Sequence, residues 1–220
     1  MLAYKYRELR EDNLTYTFDI LENSRLYCSS WTNLNDPMEG YFHAFHTGRQ
    51  RLENLRSMAA QVLEEMNKYR ICSLSSIKDS PLMWAYYAQG FEGVAIEVEI
   101  MKQVSLIEDV AYNDGHDLAD YDPDGDFSML ARRFLLTKNK AWRHEKEVRI
   151  IKEADEGRTF HQLQERPTSV YMGVSINDEN RRRLMKRCHV LGVRLFEMTL
   201  RGYKIAFREV DLTKPELPLG

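Results

Sequence analysis

The stretch AWRHEKEVRII, Ala141 to Ile151, places two carboxylates and a guanidinium at alternate positions: Glu145, Glu147 and Arg149. Successive side chains of a β-strand point to opposite faces. A strand here therefore sets these three on one side and Lys146, Val148 and Ile150 on the other. Such a row is either a solvated face, worth little to stability, or the lining of a cleft whose charges serve chemistry or binding. We expect the cleft, because Trp142 stands just before the row and Arg149 can keep one carboxylate ionised while the other acts. Glu147, in the middle, is the residue expected to be essential. Its replacement by Gln is expected to leave the melting temperature within a few degrees.

A second polar group sits on WTNLNDPMEG, where Asn35, Asp36 and Glu39 surround the rigid Pro37. This turn is expected to lie against HEKEVR and, with Tyr86, to line one concave site. In PLMWAYYAQ, Met83, Trp84, Tyr87 and Ala88 share one helical side, which reads as core packing. Tyr86 faces elsewhere and is free to offer a phenol or a stacking face to a flat ligand.

Other candidates read as ordinary surface. DYDPDG, Asp120 to Gly125, matches the start of a calcium loop, but the twelfth position is Ala131 where a bidentate Glu is required. His43 and His46 have no third ligand at a matching offset, and the run Arg181 to Arg187 spreads its charge around a helix. No structural metal is expected. A magnesium nuclease built on Asp36, Glu39, Glu145 and Glu147 lacks a helper Lys or His at a telling spacing.

The elements that must carry these residues follow from periodicity. YKYREL, RLYCSS and ICSLSS read as strands, and DNLTYTFDILENS as a helix capped by Asp12 or Asn13. Residues 50–69 form a helix through the stripe Leu52, Leu55, Ala59, Val62 and Met66. Ser80 and Pro81 open the aromatic helix, and Gly90 stops it. GVAIEVEI alternates as a strand with one face on the core, and FSMLARRFLLTKNKAW reads as one helix. TSVYMGVS, NDENRRRLMKRC, GVRLFEMT and KIAFREV follow as strand, helix, strand and strand. Strands thus cluster instead of alternating regularly with helices. The expected fold is α+β, with two small, mainly antiparallel sheets or a split β-barrel and flanking helices.

With 220 residues, 43% of them hydrophobic, the chain can bury a sizeable core, and residues 1–220 read as a single domain. Its three cysteines, Cys28, Cys72 and Cys188, are too scattered for a disulfide framework or zinc knuckle. No secretory leader begins in MLAYKYRELR and no run of eighteen apolar residues occurs, so a cytoplasmic protein without a membrane partner is expected. A net charge of -3 gives no indication of nucleic-acid binding.

Four segments in order, YKYR, LNDPMEG, PLMWAYYAQGFEGVAIEV and KNKAWRHEKEVRI, resemble the bacterial family known as the domain of unknown function numbered 2971. The resemblance runs from Tyr4 to about Gly173 and brings no established activity. It departs at Tyr86, where the family usually carries His, and at Leu34. A second resemblance is to the arginine-serine-glutamate class of the ADP-ribosyltransferase superfamily: Arg7 on an early strand, Ser73 and Ser75 in CSLSS, then Glu145 and Glu147. It implies NAD as substrate, with no bound cofactor. Glu147 would stabilise the oxocarbenium-like state, and Glu145 would position or deprotonate the acceptor. Arg7, beside Tyr6, would meet the diphosphate, Ser73 and Ser75 would hold the ribose or its surroundings, and Trp84 or Tyr86 would flank a ring.

Two functions compete at this point. One is an NAD-using ADP-ribosyltransferase or NAD glycohydrolase, a toxin or phage-defence effector acting on a nucleotide and an unidentified macromolecular acceptor. The other is a noncatalytic ligand- or partner-binding module whose NDPME turn and HEKEVR strand form a satisfied structural network.

Overall fold

A computed structural model describes residues 1–43, 49–101, 107–114, 116–118, 121–122 and 125–213. The chain begins β1 (Leu2–Arg7), α1 (Glu11–Asn23), β2 (Arg25–Cys28), β3 (Phe42–His43), α2 (Arg49–Asn67), β4 (Tyr69–Ser75), α3 (Pro81–Tyr87) and β5 (Val94–Glu99). It continues β6 (Ile107–Asp109), β7 (Ala111–Asn113), β8 (His116–Asp117), α4 (Phe127–Leu135), β9 (Thr137–Asn139) and β10 (Glu147–Glu153). It ends β11 (Thr159–Gln162), β12 (Ser169–Met172), α5 (Asp178–Leu191), β13 (Arg194–Arg201) and β14 (Lys204–Glu209). The fold is α+β, as the clustering of strands leads one to expect, and none of the described sheets closes into a barrel.

Contacts divide the chain into two compact units. The first comprises Met1–Leu26, Leu74–Met101 and Gln162–Gly220. Its strands lie in the order β14, β13, β12, β5, β1. All pairs are antiparallel except β12 with β13, which α5 connects as a parallel crossover. One face carries an aromatic core in which Trp84 of α3 meets Tyr6 edge-on at 5.3 Å. β5 is buried on both faces as far as Val98, so Glu97 lies inside and not, as its alternation suggests, on a solvated face. Gly93, just before β5, must be a glycine: an added Cβ would come within 2.2 Å of the Arg7 carbonyl.

The second unit comprises Tyr27–Ser73 and Lys102–His161. Here β4 neighbours β10, and β10 pairs antiparallel with β6. Leu55, Val62 and Met66 of α2 and Leu130, Phe134 and Leu135 of α4 form its core with Ile71 and Ile151. The Leu55–Val62–Met66 stripe is the one read from sequence.

Local signals set most boundaries. Ser80 caps α3, accepting from the Met83 amide at 3.5 Å, with Pro81 in the first turn. Asn177 opens α5 and Gly192 closes it at φ 67°. Three expectations need correction. α1 begins at Glu11, ahead of both expected caps, and the Asn13 side chain instead donates to Glu8. α4 stops at Leu135, because Thr137–Asn139 pair with β7 and that pairing overrides local helix preference. AWRHEKEVRII is not strand throughout: Lys140–Glu145 form a 3-10 turn, Lys146 takes a left-handed conformation at φ 47°, and β10 begins only at Glu147.

Candidate functional site

The row of charges does not face solvent. Glu145 is 2% exposed, Glu147 5% and Arg149 0%, all within the second unit. Although Glu145 stands on the 3-10 turn and Glu147 on the strand, the kink at Lys146 leaves both carboxylates within reach of one ammonium. Lys138 of β9 donates to Glu145 Oε2 at 2.6 Å and to Glu147 Oε2 at 3.2 Å. Arg149 holds Glu147 by two parallel bonds, Nε to Oε1 at 2.8 Å and Nη2 to Oε2 at 3.1 Å. Its Nη1 donates to the Leu135 carbonyl.

The proline turn supplies a third carboxylate. Asp36, itself buried, accepts the Met38 amide at 2.9 Å and shapes the turn, while Gly40 leaves it at φ 68°. Glu39 then points inward, 2.5 Å from Arg149 Nη1 and 4.0 Å from Lys138 Nζ. Neither Glu39 oxygen has a hydrogen bond of good geometry, so its compensation is chiefly charge. Asn35 is exposed. The turn thus meets the strand through Glu39.

Electrostatics sort these groups. Burial works to raise the Glu147 carboxyl, but Arg149, then Lys138 and the Ser73 hydroxyl, more than offset it and hold the group down to about 2. For Glu39, burial prevails over Arg149 and Lys138 and pushes the carboxyl above its ordinary range. Burial opposes charge on Lys138 and Arg149 too, yet the carboxylates around them raise both. Three carboxylates face two cations, so with all five charged the cluster carries one surplus negative charge.

Ser73 of β4 hydrogen-bonds Glu147 at the start of the neighbouring β10. Two motifs far apart in sequence therefore meet in one unit. The Glu147 amide donates to the Tyr112 hydroxyl at 2.8 Å, and Lys138 lies directly opposite Tyr112 in the β7–β9 pair. Sequence reasoning missed both Lys138 and Tyr112. Asn139, which caps the 3-10 turn by accepting the Ala141 amide, was a local signal that the helix does not run through TKNKAW, but nothing in the segment reports the pairing with β7 that places Lys138.

The remaining candidates belong to the first unit. Tyr6 is buried and donates to the Ile77 carbonyl at 3.0 Å, and the Arg7 guanidinium lies 5.9 Å from the Tyr16 ring. Ser75 is buried and accepts the Ile77 amide at 3.2 Å. Trp84 is fully buried, its indole N–H donating to the Lys78 carbonyl at 2.7 Å, which fits the packing reading. Tyr86 is 58% exposed. Arg181, Arg183 and Arg187 of α5 form ion pairs with Glu197, Glu11 and Glu22, so the basic run is offset by neighbouring acids.

His46 and Asp120 lie outside the described residues. Among those described, no group of three or more His, Cys, Asp or Glu is placed to hold a metal, and no helix is long and apolar enough to cross a membrane. No protein-family model, curated protein or solved structure matches this chain.

Proposed function

We propose that the protein cleaves the bond between nicotinamide and ribose in NAD, with Glu147 as the charge-stabilising carboxylate. The observation that carries this reading is the hydrogen bond from Ser73 to Glu147, which unites the serine and glutamate motifs on neighbouring strands. An oxocarbenium-like state demands a carboxylate that stays ionised, and Glu147 is held so by its cations. In the reaction the C1′–nitrogen bond breaks with its electron pair leaving on nicotinamide, and an oxygen nucleophile bonds to C1′. That nucleophile is water in hydrolysis or an acceptor group in transfer, and its proton passes to the Glu145 carboxylate and from there to solvent. Glu145 is the group we assign to that nucleophile. Arg7 belongs to the first unit and takes no part in the observation. A cytoplasmic setting, where NAD is available, suits this chemistry.

The noncatalytic reading is favoured by one feature, the near-complete burial of Arg149 and its partners. Following nicotinamide release from NAD, with and without protein or nucleic-acid acceptors, separates the two. The first reading expects release by the wild type and at least about a hundredfold loss in Glu147→Gln, assayed where circular dichroism shows the variant folded. A wild type that releases no nicotinamide under any of these conditions overturns it and leaves the cluster a structural network.

A further inference from the structure

Lys138 is the member of the cluster with the most contacts to account for. Its Nζ lies 2.6 Å from Glu145, 3.2 Å from Glu147 and 4.0 Å from Glu39, and 5.1 Å from the centre of the Trp142 ring. A buried lysine loses rotamer freedom and hydration, so three carboxylates around it represent a costly arrangement. An ammonium suits it, because its three N–H donors rotate about one compact nitrogen and can be shared among acceptors lying in different directions, whereas the donors of a guanidinium are fixed in one plane.

The backbone around Lys138 is fixed as well. In register it faces Tyr112, whose hydroxyl receives the Glu147 amide. Glu147 is therefore tied to the β7–β9 pair twice, by its backbone through Tyr112 and by its carboxylate through Lys138. Asn139, the next residue, caps the turn that carries Glu145.

We propose that Lys138 is a positioning residue that fixes the carboxylates of Glu145 and Glu147 in one rigid arrangement for the NAD cleavage proposed above. The inference rests on that reading for its purpose, but its physical content can be measured separately.

The test uses the full chain with Lys138→Met, which keeps a linear stem and removes the charge, and Lys138→Arg, which restores a cation. In nicotinamide release, Lys138→Met is expected to lower kcat at least about tenfold with KM within about threefold, the pattern of a group acting on the transition state. The acid limb of kcat moves to higher pH, since Glu147 loses one of the cations that keep it ionised, while Lys138→Arg returns the limb toward the wild-type position. A second readout needs no activity: carbon-13 titration of the Glu147 carboxyl, assigned by its absence in Glu147→Gln, moves to higher pH in Lys138→Met. Where Lys138→Met does not fold, Lys138→Gln takes its place in both readouts. An unmoved Glu147 midpoint overturns the proposal whether or not the protein turns over NAD, and so does an unchanged kcat in an active protein. A wild type without nicotinamide release sinks the NAD reading alone, and the titration still decides the role of Lys138.

Discussion

The Arg149 guanidinium clasps the Glu147 carboxylate from two positions along the same strand, both N–H···O bonds being parallel and the pair excluded from water. Excluding such a pair from water is expensive, and breaking it by removing one partner is worse, because the survivor is left buried and uncompensated. The expectation that Gln at position 147 leaves the melting temperature within a few degrees therefore has to be revised.

Glu147→Gln should destabilise the protein substantially. The drop of the Glu147 carboxyl from its ordinary 4.5 to about 2 corresponds to about 3 kcal/mol of native-state stabilisation. For a chain of this length that lowers Tm by about 10 °C at neutral pH. The sign of the pH dependence follows from the depressed value: the contribution is present above the ordinary carboxyl range and fades as pH falls toward 2. Melting curves of both proteins from pH 7 to pH 3 should converge on the acid side. A difference under about 2 °C at pH 7 would contradict the strength assigned to this pair.

Glu39 should behave in the opposite sense. Its carboxyl is raised by burial, so its contribution favours folding below the ordinary carboxyl range and is lost as pH rises through the raised value. Glu39→Gln removes that loss. Relative to the wild type, the variant should gain in Tm as pH increases from 4 to 8, whatever its starting offset from weakening the contact with Arg149. A Tm difference that stays flat across this range, or runs the other way, would show that Glu39 is not the buried acid the geometry makes it.

Trp84 and Tyr86, neighbours on α3, should separate packing from presentation. Trp84→Ala empties a fully buried site and strips the Lys78 carbonyl of its donor, at a cost of about 3–5 kcal/mol. Tyr86→Ala removes a side chain that is 58% exposed and should change stability by only about 0.5 kcal/mol. Chemical denaturation of both variants checks this. Equal destabilisation would mean that Tyr86 packs more closely than its exposure indicates.

Much of this architecture was legible because its signals are local. The Ser80–Pro81 opening of α3, the Asn177 cap of α5 and the alternation in β13 and β14 each depend on a few adjacent residues. The inward turn of Glu39 was readable for the same reason, since Asn35, Asp36 and Pro37 dictate a bend. Lys138 was not. Its segment is a strand only because β7 lies beside it, and no pattern within TKNKAW encodes that pairing. Glu145 was placed on the right residue but the wrong element: alternation put it on the strand, whereas the left-handed Lys146 brings it to Lys138 from the end of a turn. The burial of Glu97 likewise depends on β12 and β1 flanking β5, which no local alternation reports.

Neither unit is one continuous stretch, and that has a consequence for the chain as it leaves the ribosome. The residues of the second unit end at His161, so it can complete itself while the last strands of the first are still being made. β1 and β5 can pair early, but β12, which covers the other side of β5, emerges well after them. At about 5–20 residues per second, roughly 4–15 s separate β5 from β12. During that interval VAIEVE presents an uncovered edge of alternating aliphatic residues, the kind of segment that recruits a second nascent chain. Glu97 and Glu99 place two carboxylates on that edge, the kind of residue that discourages edge-to-edge pairing, and in the folded protein Tyr171 of β12 hydrogen-bonds Glu97.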